Sequence, residues 1–189
     1  MSPDWSAIPA PEDDGAADHL TGTSVVRVSL PSTAGGTVDL SQLEGLTVLY
    51  IYPKTGRPDR ALPEGWDDIP GARGCTPQSC AFRDHFAELA ALGVAHVFGM
   101  STQPTAYQQE AVERLHLPFQ LLSDADLDFA NAMDLPRFEV EGEILLKRMA
   151  LVVRDSIISR VFYPVFPPDR NASDVLDHLR SARTAGSAS

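Results

Sequence analysis

One stretch of this chain limits the possible folds more than any other. Leu46-Thr47-Val48-Leu49-Tyr50-Ile51-Tyr52 is an almost unbroken apolar, β-branched run, opened by Gly45 and closed by Pro53. A strand of that kind has no polar face to offer water, so it belongs in the middle of a sheet covered on both sides. The rest of the sequence supplies the covers. Residues 76–92 predict a helix with Phe82, Phe86, Leu89 and Leu92 on one face and Gly93 at its end. A strand over 94–100 follows, then a helix over 104–115 with Ala111, Leu115 and Tyr107 toward the core. A short strand over 119–122 and a short helix from Ser123-Asp124 to Met133 come next. Residues 144–153 and 157–163 predict an antiparallel pair, and 172–183 a closing helix. Upstream, segments 24–30 and 37–40 flank Gly35-Gly36 and predict an N-terminal β-hairpin. This alternation predicts an α/β fold, a mixed central sheet flanked by helices.

With 189 residues the chain suffices for one domain with a full core. The expected division is a disordered acidic tail over 1–22, a domain over 23–183 and a disordered tail over 184–189. A formal charge of −11 argues against nucleic acid or an anionic membrane as partner. No run of about 18 apolar residues is present, so no membrane span is expected. The acidic, Pro/Ala-rich N-terminus is not a secretory signal. The expected location is therefore cytoplasmic, where thiols stay reduced.

The two cysteines of the chain lie in Gly74-Cys75-Thr76-Pro77-Gln78-Ser79-Cys80-Ala81-Phe82-Arg83-Asp84. Thr76 reads as an N-cap and Pro77 as the first helical residue, which leaves Cys75 at or just before the helix start. Unpaired N–H groups and the positive end of the helix dipole there favour a thiolate. Arg73 and Arg83 could add positive charge. Cys80, deeper in the helix, reads as an ordinary thiol able to capture an oxidised Cys75. If both were helical, their Cα atoms would lie about 8 to 9 Å apart, beyond disulfide reach. A disulfide would then require the first turn to unwind. Other readings of the pair are two inert buried thiols and a zinc site, for which a nearby His pair is missing. The C-x-x-C spacing of dithiol exchange proteins is absent.

These features together resemble peroxiredoxins of the bacterioferritin-comigratory-protein, or Q, type. The matching pieces are Leu49-Tyr50-Ile51-Tyr52-Pro53-Lys54, Gly74-Cys75-Thr76 with Cys80, Phe82-Arg83-Asp84, Gly99-Met100-Ser101, Leu121-Leu122-Ser123-Asp124 and Lys147-Arg148-Met149-Ala150-Leu151-Val152-Val153. The resemblance spans about residues 24–180. It implies a thioredoxin-like fold and thiol-dependent reduction of hydrogen peroxide and organic hydroperoxides, with no cofactor and no metal. By position it implies Cys75 as peroxidatic cysteine, Cys80 as resolving cysteine, Pro53 as a shield and Arg148 as the group that holds thiolate and peroxide. It further implies an intramolecular disulfide and a thioredoxin or similar reductant; a monomer or homodimer is the expected state. The alternative on the same fold is a thiol-disulfide exchange protein or redox sensor.

Two departures stand out. The segment between Pro53 and Cys75 is long and rich in Pro and Gly, with Trp66 and Ile69 as possible anchors. Ala72 stands three residues before the cysteine, where the family carries a threonine. Thr55, Thr76 or a backbone N–H could stand in for its hydroxyl. Elsewhere, His85 reads as a solvated helix residue and Asp124 with Asp126 as helix caps. Gln103 and Tyr107 follow a strand end, where ligands often sit. Asn171-Ala172-Ser173 matches a glycosylation acceptor. The aromatic and proline residues of 162–168 suit core packing or a dimer contact.

Overall fold

The computed structural model describes residues 4–186. Its centre is a five-stranded mixed sheet, order β5-β4-β3-β8-β9. The strands are β3 (Leu46–Ile51), β4 (Val94–Ser101), β5 (Gln120–Ser123), β8 (Met149–Arg154) and β9 (Ile157–Phe162). β3 runs parallel to β4 and antiparallel to β8. Every residue of β3 is buried. Val48 and Tyr50 point into one apolar cluster with Phe82, Leu89, Ala111, Val175 and Leu176. Leu49 and Ile51 point into the other, with Leu20, Leu30, Phe129 and Met133. A strand without a polar face thus has a core on each side.

The first cluster is covered by α1 (Cys75–Asp84), α2 (Phe86–Ala91), α3 (Thr105–Leu115) and α5 (Asn171–Gly186). The helix expected over 76–92 is two helices, broken at His85. The opposite face carries β1 (Ser29–Pro31), β2 (Thr37–Asp39) and α4 (Asp128–Ala132). β1 and β2 form the expected hairpin, shorter than the apolar pattern suggested. The long strand expected over 144–153 is interrupted by Lys147-Arg148. Its first part, β7 (Glu143–Leu146), pairs with a strand the sequence did not suggest, β6 (Arg137–Val140).

The expected tails differ too. Residues 4–22 lie along the body: Ala17 and Leu20 are buried, and Asp14 accepts from Lys147 Nζ and from the Tyr163 hydroxyl, both at 2.7 Å. Two small apolar anchors and one carboxylate outweigh the acidic, unpatterned composition. Helix α5 continues through residues 184–186. Residues 1–3 and 187–189 of the expected tails lie outside the described residues. No helix among the described residues is long and apolar enough to cross a membrane.

Candidate active site

Sheet register places the site. Ile51, last in β3, pairs with Met149, first in β8. The residues just beyond them, Pro53-Lys54 and Arg148, therefore meet at one end of the sheet. Helix α1 starts at the same end. Gly74 caps it in the left-handed region (φ 112°), and Cys75 is its first residue. Thr76 is inside the first turn rather than at the cap. A side chain at position 74 is blocked as well as strained, because a Cβ there would come within 2.4 Å of Pro168.

Cys75 is 3% exposed. Arg148 Nη2 donates to its Sγ at 3.3 Å, and the Lys54 backbone N–H donates at 3.4 Å. Sγ also lies 3.6 Å from the Ala72 carbonyl oxygen. Arg148 is itself 3% exposed. Its Nη2 also donates to the carbonyls of Gly71, Ala72 and Arg73 at 3.2, 3.0 and 3.1 Å. Its Nη1 donates to Gln78 Oε1 at 2.5 Å, and Gln78 Nε2 donates to Asn171 Oδ1 at 2.9 Å. A buried polar relay thus runs from α5 through α1 to the guanidinium and the sulfur. None of the ion pairs among the described residues includes Arg148.

The helix is fixed from beneath. The Tyr50 hydroxyl donates to Ser79 Oγ at 3.0 Å, and its ring stacks on Phe82 at 4.5 Å. Burial pushes the phenols of Tyr50 and Tyr52 up, so both stay neutral beside the thiol. Cys80 is half-buried in the same helix and free, as is Cys75.

The remaining candidates fall into place around this centre. Pro53 is buried next to Lys54. Thr55 is fully buried, and its hydroxyl donates to Gln103 Oε1 at 3.1 Å. Its carbonyl accepts from Gln103 Nε2 and the Tyr107 hydroxyl. Gln103 and Tyr107 therefore hold the turn after Pro53, and the Thr55 hydroxyl has its partner there rather than at the sulfur. Thr76 lines the cleft over Cys75. Arg73 pairs with Asp67, and Arg83 with Asp84 and the Leu115 carbonyl, so neither donates to the sulfur. His85 faces Glu88 at the surface. Asp124 caps α4 through the N–H groups of Phe129 and Ala130. Asn171 is 1% exposed, which closes the glycosylation reading for the folded chain. Neither Gln78 nor the Lys54 N–H stood out in any sequence pattern. Nor did the carbonyl row 71–73.

The long segment 54–74 and the β6–β7 hairpin build a small apolar cluster of their own from Trp66, Ala72, Val140 and Leu145. The hairpin is joined to the active-site turn by the Lys54–Glu143 ion pair.

Fold and site together define a thioredoxin-fold thiol protein, with one cysteine at a helix start facing a buried arginine. The redoxin family model matches residues 20–179. The chain belongs to that family, among peroxiredoxins of the bacterioferritin-comigratory-protein and Q type. It is 31% identical over 156 residues to a putative peroxiredoxin bcp of Coxiella burnetii, covering 80% of this chain and 92% of the relative. It is 27% identical to a chloroplastic peroxiredoxin Q of Triticum aestivum, covering 94% and 77%. The crystal structure of peroxidoxin BcpB from Mycobacterium tuberculosis superposes with a TM-score of 0.69 at 28% identity, covering 86% of this chain and 97% of that one.

Proposed function

We propose that the protein is a thiol-dependent peroxidase for hydrogen peroxide and organic hydroperoxides, working in the cytoplasm with thioredoxin or a similar dithiol as reductant. The observation that carries this reading is the buried guanidinium of Arg148, 3.3 Å from Cys75 Sγ and paired with no carboxylate among the described residues. Arginine does not give up its proton, and a buried cation needs a compensating anion. The sulfur is the group in contact with it that can carry that charge.

In the proposed reaction Cys75 Sγ attacks one peroxide oxygen. The S–O bond forms as the O–O bond breaks, and the departing oxide takes a proton to leave as water or alcohol. Cys75 is oxidised to a sulfenic acid. Negative charge moves from sulfur to the leaving oxygen, and the Arg148 fork is suited to follow it. The Lys54 N–H and the Thr76 hydroxyl take the orienting part that falls to a threonine at position 72 in relatives. Pro53 and Thr55 act indirectly, by fixing the turn that aims the Lys54 N–H. The Cys80 thiol then displaces water from the sulfenic acid, giving an intramolecular disulfide. Dithiol exchange restores both thiols. Both cysteines lie in α1, so disulfide formation requires its first turn to unwind.

A second reading, a redox sensor without efficient turnover, draws support from Ala72 and from the engagement of Thr55 by Gln103. Adding one equivalent of hydrogen peroxide to reduced protein separates the two. The peroxidase reading expects rapid loss of both thiols in the parent, a trapped sulfenic acid in Cys80→Ser and little oxidation in Cys75→Ser. Equal oxidation of Cys75→Ser and parent would reverse the roles, and loss of thiols without catalytic turnover under added dithiol would favour the sensor.

A further inference from the structure

Two residues outside the thioredoxin core, Trp5 and Leu62, line the entrance to Cys75. The cleft there measures about 250 Å³ and is lined by Trp5, Leu62, Trp66 and Pro77 on its apolar parts. That is roughly eight water volumes, far more than hydrogen peroxide fills. The cations in the lining are already matched: Lys54 is paired with Glu143, and Arg73 with Asp67 at 2.7 Å. A lining with apolar surface and neutralised cations fits an uncharged ligand with a carbon body.

Trp66 is 4% exposed and packed into the small cluster of the long segment, so it serves as an anchor. Leu62 is different. It rests by Gly56, where a Cβ would stand 3.6 Å from its methyl, yet it remains 40% exposed. Trp5 lies against the backbone of Gly74, the cap of the catalytic helix, close enough that a Cβ there would meet the indole at 3.0 Å. Phe166 holds it edge-on at 6.4 Å. The indole N–H is buried without an acceptor among the described residues.

We propose that Trp5 and Leu62 are specificity-determining residues, which grip the organic part of a bulky, uncharged hydroperoxide while its O–O group reaches Cys75. This inference rests on the peroxidase reading. The N-terminal segment thereby becomes part of the active site, since Trp5 reaches it from residues that contribute no strand to the sheet.

The test compares kcat/KM for cumene hydroperoxide and hydrogen peroxide in the full chain. For Trp5→Ala the ratio of the two should fall about tenfold, the lower end of what a lost apolar contact gives in a substrate pocket. The fall should come through KM. Leu62→Ala should move the ratio the same way, and Trp5→Phe, which keeps the apolar wall, should retain most of it. Should Trp5→Ala fail to fold, Leu62→Ala and Leu62→Asp decide the matter. An unchanged ratio in these variants overturns the inference and leaves the peroxidase reading standing. A parent that turns over neither peroxide removes both.

Discussion

Strand β3 and the segment that follows it are joined at Pro53 yet obey different physics. β3 is buried on both faces, and each of its side chains is specified by the core it enters. The segment 54–74 contributes one short helical turn, Trp66–Asp68, and is held by Trp66, a few ion pairs and the β6–β7 hairpin. The first region sets where sulfur and guanidinium meet. The second, with the N-terminal segment, sets the shape of the approach to them. Damage to the core should therefore appear as lost stability, and damage to the second region as altered choice of peroxide.

The largest expected effect tests the core. Phe82 is fully buried against Tyr50, and Phe82→Ala should cost about 3–5 kcal/mol in denaturant unfolding. The exposed Leu62 offers the contrast: Leu62→Ala should cost less than about 0.5 kcal/mol. Equal losses at both positions would dissolve the distinction drawn between the two regions.

Arg148 lies where the regions touch. Arg148→Met should lower kcat/KM for hydrogen peroxide by about 10²–10³, the scale seen when one donor to a developing oxyanion is removed. Circular dichroism should still report the parent fold. Smaller is the effect at Gln78, which ties Arg148 to Asn171. Gln78→Ala should destabilise by about 1–3 kcal/mol, since it leaves buried partners unpaired, and should slow turnover because Arg148 loses its brace.

The smallest effect concerns the N-terminal segment. Hydrogen bonds from Lys147 and then Tyr163 hold the Asp14 carboxyl well below the usual range, while Asp13 also faces Tyr163. A depressed folded-state value contributes stability above the unfolded value of about 4 and loses it as pH falls through the folded one. The segment should thus loosen in strong acid, read by Trp5 emission in a Trp66→Phe background. An acid step of the same size in Asp14→Asn would show that this carboxylate is not responsible.

What could be read from the sequence follows the same division. The β3 run, the helix start at Cys75 and the antiparallel β8–β9 pair carry strong local patterns, and the structure has them. Thr76 looked like the cap because it is a good capping residue, but Gly74 reaches the left-handed region and starts the helix one residue before Thr76. The break at His85 has no Gly or Pro to announce it. The β6–β7 hairpin was hidden because Leu145-Leu146 and Met149 onward read as one apolar strand. Arg148 was legible only through family resemblance, because a lone arginine at a strand edge usually faces water. Its partners, the carbonyls of 71–73 and Gln78, come from segments that tertiary packing alone brings together. Trp5 was hidden in a stretch whose acidic composition suggests a mobile tail.

The most direct test of the account is a competition. Reduced Cys80→Ser protein and a free cysteine analogue are offered limiting hydrogen peroxide, and the share oxidised at Cys75 is measured by mass spectrometry. The account predicts that Cys75 takes nearly all of the oxidant, and that Arg148→Met in the same background returns it to the free thiol. Oxidation of Cys75 no faster than the free thiol, with Arg148 in place, would contradict it.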